Sequence, residues 1–174
     1  PPILVSQPMP PLLPPADFAR TLERTGAVVL DTRNAGQFGN AHVPGALNVG
    51  LDGQYASWVG TLVQPSQAVL IVADPDRSEE AVVRLARVGY ENVLGVLEGG
   101  MARWIEDNHP IASIEQDAAE SALASRGRVL DVRRGREFEA RHLDRAVHIP
   151  LADLPTRLGE LDPAEPWTVV CAVH

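Results

Sequence analysis

The sequence predicts a three-layer α/β/α fold with a mainly parallel central sheet, present in two copies of which the second is incomplete. Short continuous apolar runs alternate with amphipathic helical segments, a pattern typical of parallel strands covered by helices on both faces. The order of these segments starts again after residue 110. The second series ends at residue 174, before the later helices and strands of the first series have a counterpart.

The first elements follow a proline-dense segment. Residues 1–14 include "PMPPLLP", which predicts a semi-rigid linker or wrapping arm because proline interrupts helices and central strands. A helix is predicted over "ADFARTLERT", with Gly26 as its end. The apolar runs "AVVLD" (27–31) and "VLIVA" (69–73) predict strands buried on both faces.

The rest of the first copy continues the alternation. An amphipathic helix is predicted over 77–89, and the spacing of Asp76 and Glu79 resembles a capping box at its start. A third strand is predicted over 92–97, and the following "EGGMARWIEDN" indicates a tight turn into a short helix. We therefore predict a complete domain over residues 15–110.

An internal repeat then appears at an offset of 100 residues. Between residues 29 and 51, eight of 23 positions hold the same residue as the position 100 further on. Such an offset indicates a domain duplication, since solenoid repeats are roughly 20–50 residues long. A helix capped by Asp117 and Glu120 is expected to open the second copy. Residues 111–174 are accordingly predicted to be the N-terminal half of a second domain.

Composition narrows the class of protein. The formal charge is −8 and the pI about 5.0, which argues against a nucleic-acid or membrane-surface binder. A single cysteine excludes an internal disulfide framework and a multi-cysteine metal site, and it fits a reducing compartment. The absence of a long apolar segment and of a signal-peptide pattern adds to the expectation of a cytoplasmic protein.

Two segments resemble one known family. "VVLDTRNAGQFGNAHVPGALNV" and "RVLDVRRGREFEARHLDRAVHIPL" are similar to the D-x-R-x-x-x-E-F-x-x-G-H-I-x-G-A-x-N-I-P segment of rhodanese-like domains. "EGGMARW" is similar to the L-x-G-G-x-x-x-W segment that closes those domains. The resemblance covers residues 15–174 and implies tandem rhodanese-like domains.

A narrower resemblance concerns the context of the domains. The proline-rich lead-in, "LDGQYASWVG", "VADPDRSEEAV" and "VLEGG" are similar to tandem rhodanese modules that follow a metallo-β-lactamase-type domain in fusion proteins linked to persulfide oxidation and sulfur transfer. The sequence contains no H-x-H-x-D-H zinc motif. The resemblance therefore implies that any such domain would lie upstream, outside this chain.

The resemblance also implies a chemistry. In this family a cysteine ends a central strand, and a C-x-x-x-x-R loop leads from it into a helix. Inward-pointing backbone N–H groups and the helix N-terminus favour the thiolate, which is the nucleophile. The thiolate would take a sulfane sulfur from a small sulfur-containing anion or a persulfide and pass it to a thiol or cyanide. Neither a cofactor nor a metal is expected.

The first copy departs from this pattern at the loop. The alignment places Ala73, or Asp74 with a shift of one residue, where the cysteine belongs, and neither can carry sulfur. Asp74 and Asp76 put carboxylates where an anion would need donors, and Arg77 follows Ala73 after four steps instead of five. We expect this copy to be catalytically silent. The alternative of a carboxylate acting as general base stays open beside ordinary turn chemistry.

The second copy keeps the cysteine. Cys171 ends the apolar run "WTVVC" and is the expected nucleophile, while a buried structural cysteine is the alternative. The loop arginine would lie beyond His174. The predicted function is sulfur transfer through Cys171. A non-catalytic docking module is the alternative, and a phosphatase with a C-x-x-x-x-x-R loop is a minor one. A homo-oligomer is one way to cover the incomplete domain.

Several charged residues have two readings. Asp31 with Arg33, and Asp131 with Arg133, follow the first strand of each copy and are expected to brace loops, with a role in substrate binding as the alternative. The arginine-rich segment 126–145 fits a solvated helical face, or else raises the local potential near the second site.

The two histidines at the repeat offset also have a plain interpretation. His42 and His142 are expected to be neutral and to hydrogen-bond the backbone, which leaves metal binding as a remote alternative.

Overall fold

The computed structural model describes residues 8–116 and 127–171. The chain divides into two compact units, a first over 1–115 and a second over 116–174. The helix predicted to begin with Asp117 and Glu120 lies outside the described residues. Among the residues that are described, no helix has the length and apolar character needed to cross a bilayer.

The first unit is a five-stranded, all-parallel sheet in the order β1-β5-β4-β2-β3. Its elements alternate along the chain as the apolar pattern predicts. They are β1 (Leu12–Leu13), α1 (Pro15–Thr25), β2 (Val28–Asp31), α2 (Ala35–Asn40), β3 (Leu47–Asn48), α3 (Tyr55–Leu62), β4 (Val69–Val72), a 3₁₀ turn (Pro75–Arg77), α4 (Ser78–Arg87), β5 (Val93–Leu97) and α5 (Gly100–Glu106).

Both faces of this sheet are covered. Ile71 of β4 packs with Val59 of α3 and Leu85 of α4 in one core cluster. Its neighbour Leu70 belongs to a second cluster with Phe18 of α1. Successive residues of a strand point to opposite faces, so the central strand is buried on both sides. The predicted three-layer α/β/α fold with a parallel sheet is confirmed.

The proline-rich segment is more than a linker. Leu12 and Leu13 form an edge strand that pairs in parallel with Val96 and Leu97 of β5. Prolines flank these two leucines, and an edge strand tolerates proline because one side of its backbone needs no partner in the sheet. Part of the predicted linker 1–14 is therefore built into the first sheet.

The first unit also extends past the predicted end at residue 110. Ala112 forms an antiparallel bridge with His42, and the backbone N–H of Ile114 donates to the carbonyl of Gly39 at 2.8 Å. Backbone pairing thus keeps residues 111–115 with the first unit, whereas a composition-based boundary cannot detect such long-range contacts.

The predicted capping box at the start of α4 is wrong. Asp76 lies in the 3₁₀ turn, and α4 begins at Ser78 with no side-chain cap among the residues described here. Pro75 opens the 3₁₀ turn, which moves the helix start two residues past the expected cap. The Ser78 hydroxyl instead donates to the carbonyl of Asp74 at 3.3 Å.

The second unit contains a smaller parallel sheet in the order β7-β6-β8. Its core is a small cluster around Leu130, Val132 and Ile149. Val169 of β8, at the sheet edge, is 56% exposed. The described elements are β6 (Arg128–Asp131), α6 (Gly135–Ala140), β7 (Ala146–His148), α7 (Leu154–Arg157), a 3₁₀ turn (Leu158–Glu160) and β8 (Trp167–Val170).

Candidate functional site

Cys171 is the residue directly after β8. This strand pairs in parallel with β6, and Asp131 lies opposite Val170. In the first unit β4 pairs with β2 in the same register, so the residue that follows β4 is Ala73. The structure thereby decides between the two sequence alignments: the position of Cys171 corresponds to Ala73 and not to Asp74.

The two equivalent positions differ in exposure. Ala73 is 1% exposed, beneath the start of the loop that follows it. Cys171 is an exposed free cysteine. The thiol can therefore meet a dissolved reagent, and the alternative of a buried structural cysteine does not describe this side chain.

The loop after Ala73 is a closed turn. The backbone N–H of Arg77 donates to the carbonyl of Asp74 at 2.9 Å, and the Asp74 carboxylate accepts from Nε2 of Gln37 at 3.1 Å. Asp76 is exposed on the outside of the turn. The backbone of this loop thus bonds to itself, and its one carboxylate near α2 is already paired.

The charge of Arg77 is used within the first unit. Its guanidinium contacts the carboxylates of Asp52 at 3.0 Å and Glu80 at 2.9 Å. The hydrogen bond from Arg77 is the main reason that the pKa of Asp52 and the pKa of Glu80 are lowered. Two carboxylates therefore neutralise the only cation of the 73–77 segment, which leaves an anionic sulfur donor little to bind there.

Gly100 brings the start of α5 against the same loop. It has a φ of +60°, and a Cβ at this position would lie 2.9 Å from the carbonyl oxygen of Ala73. Only glycine permits both the left-handed backbone and this close approach. The sequence signal was the pair of glycines in "EGGM", which indicated a turn but not the surface against which it lies.

Asp31 and Arg33 form a buried ion pair at the end of β2. Arg33 Nη2 lies 2.6 Å from Asp31 Oδ2 and also donates to the carbonyl of Ala41 at 2.8 Å. The two side chains are 8% and 0% exposed, respectively. The pair therefore ties the end of the strand to the end of α2.

The second unit repeats this arrangement. Arg133 Nη2 lies 2.6 Å from Asp131 Oδ2 and donates to the carbonyl of Arg141 at 2.8 Å. Burial raises the pKa of Asp131, but the hydrogen bonds and charge of Arg133 outweigh it, so that this pKa is lowered overall. In both units the guanidinium is occupied by groups of its own unit.

The repeated histidines bond to the backbone. Nδ1 of His42 donates to the carbonyl of Phe38 at 2.8 Å, and Nδ1 of His142 donates to that of Phe138 at 2.7 Å. Each imidazole stacks on the phenylalanine ring at 3.9 Å between centroids. Within residues 8–116 and 127–171, no cluster of three or more His, Cys, Asp or Glu side chains could hold a metal ion.

Comparison with solved structures shows the same fold. The rhodanese-like domain of the Alr3790 protein from Anabaena sp. has a TM-score of 0.54 and 22% identity, over 64% of this chain and 87% of that one. SseA from Escherichia coli, described among 3-mercaptopyruvate sulfotransferases, has a TM-score of 0.51 and 19% identity, over 92% of this chain and 88% of that one. These identities show a likeness of fold alone.

Sequence comparison identifies the family. A search of curated proteins found no match. The family model of the rhodanese-like domain matches residues 14–107, which is more than half of the chain. This range coincides with the five-stranded unit, including the Asp31–Arg33 pair and the loop after Ala73. The chain belongs to the rhodanese-like domain family.

Proposed function

We propose that this chain is a sulfurtransferase-type module that moves sulfane sulfur through a persulfide on Cys171. The observation that carries the proposal is the exposed thiol directly after β8, in the register that Ala73 fills in the first unit. The first unit is a non-catalytic domain, because Ala73 offers no nucleophile and Arg77 is held by two carboxylates.

Duplication of one domain is part of this proposal. Support comes from the identical strand register, from the Asp–Arg pair in each unit, and from the histidine that stacks on a phenylalanine in each unit. The fusion-type resemblance adds an upstream metallo-β-lactamase-type domain to the proposal. A cytoplasmic location and a second copy of the chain against the exposed edge of β8 complete it.

The chemistry balances without an external oxidant or reductant. The Cys171 thiolate attacks the sulfane sulfur of thiosulfate, a new S–S bond forms, and sulfite leaves with the electron pair of the broken S–S bond. A thiol or cyanide then attacks the outer sulfur of the persulfide. The Cys171 thiolate leaves with the electron pair and is regenerated.

The test is sulfur loading of the 174-residue chain. After treatment with thiosulfate or a persulfide donor, we expect the peptide that carries Cys171 to gain the mass of one sulfur atom. Cys171→Ser removes the adduct, because a hydroxyl is too weakly ionised to attack. An unloaded Cys171, or loading that survives Cys171→Ser, contradicts the proposal.

A docking module is the second candidate. The observation in its favour is that the first unit keeps a complete three-layer fold although its loop has no nucleophile. A fold retained without its chemistry is suited to orienting a neighbouring domain or a partner. Failure of Cys171 to accept sulfur, together with stable binding of the chain to an upstream domain of the same protein, favours this candidate.

A further inference from the structure

Gln37 and Glu137 occupy the same place in the two units. Each is the third residue of a short helix, α2 or α6, and each side chain folds back over the helix start. Gln37 Oε1 accepts from the backbone N–H of Asn34 at 3.2 Å. Glu137 Oε2 accepts from the backbone N–H of Arg134 at 3.1 Å. One oxygen of each side chain is thus fixed by the backbone.

The other end of the Gln37 amide reaches the loop after β4. Nε2 of Gln37 donates to Oδ1 of Asp74 at 3.1 Å, and Asp74 directly follows Ala73. An amide suits this place because it accepts with its oxygen and donates with its nitrogen. A glutamate would set a second carboxylate against Asp74. Position 37 therefore connects the helix start to the first residue past the strand end.

The equivalent strand end in the second unit is Cys171, and the residue in the place of Gln37 is Glu137. We propose that Glu137 is a positioning residue of the Cys171 site: its carboxylate lies beside the segment that begins at the thiol. Since consecutive Cα atoms are 3.8 Å apart, this places the carboxylate on the order of 7 Å from the sulfur. The inference rests on the proposed function.

A fixed carboxylate at that distance changes the reactivity of the thiol. It disfavours the thiolate electrostatically, and a thiolate of higher basicity is the stronger nucleophile once formed. The ends of parallel strands meet at one edge of the sheet, so the other polar groups nearby are known. Asp131 and Arg133 neutralise each other, Nε2 of His148 donates to the Arg133 carbonyl at 2.9 Å, and Arg134 precedes Glu137 on the same helix start.

The decisive variant is Glu137→Gln in the 174-residue chain. Glutamine keeps the helix cap, as Gln37 does in the first unit, and removes only the charge. We expect the apparent pKa of the Cys171 thiol to fall by about half a unit. At neutral pH, alkylation by iodoacetamide is then about two- to threefold faster. The measurement is the pH dependence of the alkylation rate at low ionic strength.

Glu139→Gln is the matched control. Glu139 is an exposed residue of the same helix, two positions on, and its substitution changes the net charge equally. Its alkylation profile stays that of the wild type. In about 1 M salt the effect of Glu137→Gln shrinks, because screening then acts within about 3 Å. The inference is overturned if Glu137→Gln leaves the profile unchanged, or if Glu139→Gln shifts it equally.

The outcome is separable from that of the proposed function, because alkylation requires no sulfur transfer. A chain that never loads sulfur refutes the proposed function, and the alkylation profiles still decide the role of Glu137. A chain that loads sulfur and shows no effect of Glu137→Gln refutes only the present inference.

The geometry has an independent test in the first unit. Gln37→Glu places a carboxylate against Asp74 and is expected to lower the thermal midpoint by a few degrees, about 1 kcal/mol of like-charge repulsion and lost hydrogen bonding. Asp74→Asn in the same chain restores the midpoint, because an amide again faces a carboxylate. Loss of stability that Asp74→Asn does not restore contradicts the transferred geometry.

Discussion

Ala73 and Cys171 stand at the same position of two separate sheets. Each directly follows a strand that pairs in parallel, in the same register, with a strand ending in aspartate. One position is buried and carries a methyl group, and the other is exposed and carries a thiol. The difference between a silent and a reactive unit therefore centres on this residue and on the groups around it.

Restoring a thiol to the first unit is not expected to restore chemistry. We predict that Ala73→Cys, in a Cys171→Ser chain, gains no sulfur from thiosulfate. The introduced thiol is buried, and Asp52 and Glu80 hold the nearby Arg77. Mass spectrometry of the peptide checks this. Loading equal to that of wild-type Cys171 would show that the missing thiol alone silences the first unit.

The two Asp–Arg pairs are expected to differ in stability. Arg33→Ala leaves Asp31 buried without its partner and is expected to cost about 3–5 kcal/mol. Arg133→Ala is expected to cost less, about 1–3 kcal/mol, because the Arg133 side chain is already 21% exposed. Urea denaturation followed by circular dichroism measures both, and equal costs contradict the role of burial.

The second pair also has a direction with pH. The lowered pKa of Asp131 means that its contribution is fully present above the ordinary aspartate pKa and is lost as the pH falls through the lowered value. Arg133→Ala should flatten this acid dependence, which a denaturation series from neutral to strongly acidic pH would record.

Gly100 is expected to be intolerant of a side chain. Gly100→Ala brings a Cβ within 2.9 Å of the Ala73 carbonyl oxygen at a φ of +60°, and we predict a loss of about 1–3 kcal/mol. Gly60→Ala is the control, because Gly60 lies in α3 with no atom within 4 Å of its Cβ position. That change is expected to stabilise by up to about 1 kcal/mol. Similar thermal midpoints for the two variants would refute the close approach.

Both tyrosines should resist ionisation in the folded first unit. Burial raises the pKa of Tyr55 and of Tyr90, and the Tyr90 hydroxyl donates to the Val63 carbonyl at 2.6 Å. Their stabilising effect is therefore present below the ordinary tyrosine pKa of about 10 and is lost as the pH rises through the raised values. Phenolate absorbance should appear together with the loss of circular dichroism. Ionisation near pH ~10 in a chain that stays folded contradicts this prediction.

Local sequence patterns determined most of the elements. Continuous apolar runs placed β2 and β4, and Gly26 ended α1 in the left-handed conformation that the residue type predicts. The candidate nucleophile also followed from sequence, because the chain has one cysteine and it ends an apolar run. These features depend on neighbours along the chain, which periodicity and residue type report directly.

Long-range pairing decided the remainder. Only the sheet register identifies Ala73 as the counterpart of Cys171, and only the fold brings Asp52 to Arg77 across 25 residues of sequence. The strand of Leu12 and Leu13 likewise exists because β5 offers an open edge. Local propensity carries no information on which distant segment supplies a backbone or charge partner, so these relationships are fixed by tertiary structure.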